Sequence, residues 1–111
     1  MTKAVFTVKD GRIIRVSCCG HTGYADEGED IVCAAVSAVL QGAALGVMKV
    51  SHAKATYQTD DDKGELHLAL VEGQDEQVQH DAEVILRTAL LSVEDIAASY
   101  SQFVKVEVKE L

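Results

Sequence analysis

The chain has 111 residues, of which 48% are hydrophobic, and it sets 10 Lys and Arg against 18 Asp and Glu, a formal net charge of −8. That length suits one domain with its own core, and the apolar content excludes a disordered tail. No basic stripe is present, which excludes direct nucleic-acid binding through clustered phosphate contacts; an acidic chain attracts a basic protein instead.

Residues Lys3–Lys9 alternate, with Ala4, Phe6 and Val8 on one face. Asp10-Gly11 is a strong hairpin turn. Arg12–Cys19 continues the alternation, with Ile14, Val16 and Cys18 on one face and Ile13, Arg15, Ser17 and Cys19 on the other. Two antiparallel strands are predicted.

Gly20–Asp30 holds three glycines (Gly20, Gly23 and Gly28) and four carboxylates (Asp26, Glu27, Glu29 and Asp30). It reads as a loop. Ile31 to about Val50 is apolar and rich in Ala, which favours a largely buried helix with Asp30 as its N-cap. Gly42 and Gly46 suit close approach of another backbone.

Ala53–Thr59 and Glu65–Val71 read as a second hairpin across the acidic turn Asp60–Gly64, with Leu66, Leu68 and Leu70 inward. From Asp75 to about Tyr100, Val78, Ala82, Ile85, Ala89, Val93, Ile96 and Tyr100 form a helical stripe. Phe103–Lys109 reads as a closing strand with Val104, Val106 and Val108 inward. The order β-β-α-β-β-α-β predicts an α+β domain, a mixed or antiparallel sheet packed by two helices.

No apolar run is read as reaching the ~18 residues that span a bilayer, so no membrane is expected. The N-terminal stretch lacks the h-region of a signal peptide. Three cysteines without an export signal then imply reduced thiols and a cytoplasmic location. The chain has no Asn, which rules out a Cys–His–Asn triad.

The chemistry concentrates between Gly20 and Ser37. With Asp30 as N-cap, Cys33 falls in the first helical turn, where free N–H groups and the macrodipole favour a thiolate. His21, across the loop, is placed to exchange a proton with it, the usual construction of Cys–His catalysis. Asp30 or Asp26 is a candidate to orient His21. The N–H of Cys33 and neighbouring amides are candidates for an oxyanion hole. Ser37, one turn below Cys33, suits a hydrogen bond to substrate or loop. The bland alternative is that Cys33 is a small core residue. A zinc site from Cys18, Cys19, His21 and Cys33 is disfavoured, because adjacent strand residues face opposite ways; no metal or cofactor is expected. His52, His67 and His80 read as surface or half-buried residues, and Asp60–Asp62 as a solvated turn.

The pattern Gly20-His21-x-Gly23-Tyr24-Ala25, followed by Gly28-x-Asp30-Ile31-Val32-Cys33-Ala34-Ala35-Val36-Ser37, resembles the ribosomal-processing cysteine protease (Prp) family of certain bacteria. The resemblance implies an endopeptidase that removes the N-terminal extension of a basic large-subunit ribosomal protein, the twenty-seventh, as ribosome assembly requires. Cleavage would follow an aromatic-rich segment. The resemblance also implies a catalytic pair at His21 and Cys33, a homodimer, and a glycine-rich loop that moves on substrate binding. Tyr24 is the candidate wall of an apolar substrate pocket. The sequence departs from the pattern at Thr22, where Ala is common, and at Cys18-Cys19, where apolar and Ser residues are expected. Two other functions compete: a non-catalytic ribosome-assembly module that binds a basic ribosomal protein, and a redox protein using Cys19 and Cys33.

Overall fold

A computed structural model describes residues 1–20 and 27–111. Strands β1 (Thr2–Lys9) and β2 (Arg12–Cys19) form the first hairpin. Its turn places Asp10 and Gly11 at φ of 52° and 79°, as a tight hairpin demands. Helix α1 (Glu27–Leu45) follows and ends in a π-helical turn over Gly46–Val50. Strands β3 (Ala55–Asp60) and β4 (Glu65–Leu70), helix α2 (Glu76–Ser99) and strand β5 (Val104–Glu110) complete the order.

The five strands lie in the order β3-β4-β2-β1-β5. Only β1 and β5 run parallel. The expected α+β domain with a mixed sheet and two helices is therefore the fold. One sheet face presents Ala4, Phe6, Val8, Val16, Leu66 and Leu68 to a core completed by Val36, Leu40 and Val47 of the first helical segment and Leu86, Leu90 and Val93 of α2. Leu86 and Leu90, adjacent to the predicted stripe, bury more deeply than Ile85 and Ile96. Asp75 caps α2 by accepting from the Gln77 N–H at 3.1 Å, which satisfies one of the helix's free donors.

Four expectations need correction. First, Ile13 and not Ile14 joins the core, because a bulge slips the β1–β2 register between Thr7 and Val8 and pairs Val8 with Ile13. A single extra residue reverses which side chains point inward. The Glu83 carboxylate accepts from the Ile13 N–H at 2.6 Å, so the disturbed ladder leaves no orphan there. Second, Val108 and Tyr100 are exposed: β5 runs past the helix layer, and Tyr100 lies one residue beyond the end of α2. Third, Gly42 has open space over its Cα, and Gly46 faces the Ile85 side chain, not another backbone.

Fourth, Ile31–Val50, with a mean hydropathy of 2.1, is long and apolar enough to cross a membrane by length and composition. The same test is passed by the core helix of a globular domain. Here Val32, Val36, Leu40, Ala44 and Val47 form one buried stripe in the common core.

Candidate active site

The site lies at the end of the sheet where β1 begins and β2 ends. Cys33, on α1, is 8% exposed, and its sulfur is in hydrogen-bond contact with the Thr2 hydroxyl at the start of β1. A cavity of about 500 Å3 opens beside it. Cys33 and Ser37, one turn apart, form its helical wall. Asp60, Asp61 and Glu65, from the β3–β4 turn and its flanks, form an acidic wall opposite. That acidic turn, expected to be merely solvated, therefore borders the same space as the thiol. No sequence-local signal links residues 27 or more apart; only the sheet order does.

Cys18 also lines this cavity and is buried, whereas Cys19 on the same strand is exposed. Strand alternation separates the two sulfurs. Burial, reinforced by the neighbouring Cys19 and Cys33 sulfurs, pushes the Cys18 thiol up to about 11. Cys18 thus behaves as a neutral core group at neutral pH. The competing redox reading needs Cys19, whereas Cys18 is the second cysteine on the cavity side. Among the described residues, no three His, Cys, Asp or Glu groups are placed to hold a metal ion.

The helix begins at Glu27, so Asp30 lies within its first turn and not at an N-cap. Acidic residues suit a first helical turn, so Glu27-Gly28-Glu29-Asp30 belongs to the helix and not to the loop. The correction moves Cys33 into the second turn. In an α-helix only the first four N–H groups lack intrahelical partners, and Cys33 lies six residues into the described helix, beyond them. The Cys33 amide is therefore not among the free donors expected for an oxyanion hole.

Gly20 closes β2 at φ of 115°, a conformation available to glycine and strained for other residues. A Cβ at this position would overlap the Met1 carbonyl oxygen and sit 3.1 Å from the Met1 carbonyl carbon. The start of β1 and the end of β2 are thereby held in close approach. His21, Gly23, Tyr24 and Asp26 lie outside the described residues, and Gly28 and Asp30 are placed by backbone only. None of the described histidines lines the thiol's cavity. His67 Nδ1 is 3.2 Å from the Ser17 hydroxyl, His80 lies 3.2 Å from Asp81, and His52 is exposed with φ of 58°.

A second cavity, about 370 Å3, lies at the far end of the hairpin among Lys9, Arg12, Ile13, Leu70 and Val78. No Cys, Ser, Thr or His lines it among the described residues. Its rim cations are paired, Lys9 with Glu72 and Arg12 with Glu76. Chemistry therefore points to the first cavity.

Comparison with known proteins covers nearly the whole chain. A family model described as cysteine protease Prp matches residues 1–105. The chain is 31% identical over 104 residues to a protein of Staphylococcus aureus named ribosomal processing cysteine protease Prp, covering 93% of this chain and 94% of that one. A crystal structure of the S. aureus essential ribosomal processing protease Prp with a substrate peptide superposes with a TM-score of 0.86 at 29% identity, covering 98% of this chain and all of the other. A second structure of that protease, with a covalently linked product peptide, gives a TM-score of 0.82 at 30% identity over 98% of this chain and all of the other.

Proposed function

The chain belongs to the cysteine protease Prp family, and we propose that it is a cytoplasmic endopeptidase in which Cys33 is the nucleophile and His21 its proton partner. The observation that carries this reading is the Cys33 sulfur at the wall of a cavity large enough for peptide side chains. The S. aureus relative crystallised with a covalently linked product peptide, which supports a covalent mechanism.

The reaction is acyl transfer. The Cys33 thiolate attacks the scissile carbonyl carbon, forming a C–S bond as the carbonyl becomes an oxyanion. Collapse of that intermediate breaks the C–N bond, and His21 protonates the departing amine. Water, deprotonated by His21, then attacks the thioester, releasing a carboxylate product and regenerating the thiolate. Ser37, one turn along the same helical wall, is suited to orient the peptide.

The substrate is the N-terminal extension of the twenty-seventh large-subunit ribosomal protein. The acidic wall of Asp60, Asp61 and Glu65 supports a basic flank on that peptide. Tyr24 contributes an apolar contact to the aromatic segment, Gly23 gives the loop the freedom to close over it, and Asp30 or Asp26 orients His21. The working protein is a homodimer.

The test is cleavage of a peptide spanning the extension junction. Cys33→Ala and His21→Ala are expected to lower the rate by ~10³-fold or more, with unchanged circular dichroism. Cleavage that survives in Cys33→Ala refutes the proposal.

A further inference from the structure

The hydroxyl in contact with the Cys33 sulfur comes from Thr2, a residue outside every motif recognised in the sequence. Thr2 is 4% exposed. Its backbone is held on both sides of the side chain. The Thr2 N–H donates to the Phe103 carbonyl at 2.8 Å, and its register pairs it with Val104 of β5. The Met1 carbonyl just before it abuts the glycine that closes β2. The hydroxyl is thus fixed by the sheet and not by the loop.

A threonine hydroxyl has one hydrogen to donate. Among the described residues, the Cys33 sulfur is the partner this hydroxyl has. A buried donor needs an acceptor, and an ionised sulfur accepts more strongly than a neutral thiol. Donation from a fixed hydroxyl therefore aims the sulfur. The thiol form reverses the roles, with S–H donating to the hydroxyl oxygen. One side chain serves both states without moving.

We propose that Thr2 is a positioning residue of the protease, its hydroxyl holding the Cys33 sulfur toward the peptide and donating to it when it is ionised. The proposal rests on the reading of Cys33 as nucleophile. It adds a group from the first strand to the side chains that border the thiol's cavity.

Two substitutions separate chemistry from packing because they predict opposite orders. Thr2→Val keeps the shape and β-branch and loses the hydroxyl. Thr2→Ser keeps the hydroxyl and loses a methyl. If the hydroxyl holds the sulfur, Thr2→Val lowers kcat by ~10-fold or more with KM within about twofold, and slows iodoacetamide alkylation of Cys33 at pH 7 by a similar factor; Thr2→Ser stays within about threefold of the parent in both. If Thr2 only fills space, Thr2→Ser is the more damaged variant and Thr2→Val resembles the parent. That order overturns the proposal, as does an equal loss in both. Cys33→Ala run in parallel keeps the two readings distinct. An inactive Cys33→Ala beside a fully active Thr2→Val refutes the role of Thr2 alone, whereas an active Cys33→Ala refutes the nucleophile itself.

Discussion

Alanine placed at Gly20 and at Gly42 should move stability in opposite directions. At Gly20 the φ of 115° is one that a residue with a Cβ occupies at a cost of about 1–3 kcal/mol. The added Cβ would also overlap the Met1 carbonyl oxygen and lie 3.4 Å from the Thr2 Cα. Those are backbone atoms at and just before the start of a paired strand, and shifting them costs a further amount, about 1–3 kcal/mol for an overpacked site. With partial relaxation the net is about 3 kcal/mol, a fall in melting temperature of about 12 °C for a domain this size. Gly42 lies inside α1, three residues before its last, exposed, with nothing within 4 Å of the point a Cβ would occupy. Alanine there should stabilise by about 1 kcal/mol, a rise of about 4 °C. Thermal melts followed by circular dichroism read both. A Gly20→Ala protein melting within about 2 °C of the parent would refute the claimed lock between the start of β1 and the end of β2. A Gly42→Ala protein that melts lower would show that this helix face is covered.

Two further outcomes follow from other parts of the molecule. Glu83→Ala removes the acceptor of the Ile13 N–H at the bulge and the 2.7 Å ion pair with Arg87, and should cost about 1–3 kcal/mol in urea denaturation; a midpoint equal to the parent's would mean that water satisfies the bulge. Cys18 carries a pH dependence: its folded thiol is raised from 9.0 to about 11, so its stabilising contribution is complete below pH 9 and is lost as pH rises through 11, when the unfolded chain alone can ionise. Two pH units correspond to at most about 2.7 kcal/mol. The parent should therefore lose more stability between pH 9 and 11 than Cys18→Ala does, and parallel curves would refute the burial of that thiol.

The strand pairs were legible because their periodicity is short and their turns are explicit. Asp10-Gly11 announces the first hairpin, and alternation finds Ala4, Phe6 and Val8. The bulge was not legible. Ile13 and Ile14 are equally apolar, and the acceptor that stabilises the slipped register sits 70 residues away on α2. The start of α1 was hidden for a different reason: glycines and carboxylates signal a loop by composition, yet carboxylates also suit a first helical turn. Helical spacing put Ser37 one turn from Cys33, and both line the same cavity. Thr2 and the acidic wall were not legible, since each reaches the thiol through strand order alone.

The earlier start of the helix changes what can activate the sulfur. A terminus acts through its unpaired amides and a dipole worth about 0.3–1 kcal/mol that fades within the first turn. Cys33 lies six residues into the described helix, beyond those amides. A hydrogen bond acts only at contact distance, and the Thr2 hydroxyl is in contact with the Cys33 sulfur. The thiol's environment is thus assembled from the start of β1 at least as much as from its own helix. This explains how a cysteine in an Ala-rich core helix, a setting that usually buries an inert thiol, can face a cavity with a polar partner already in place.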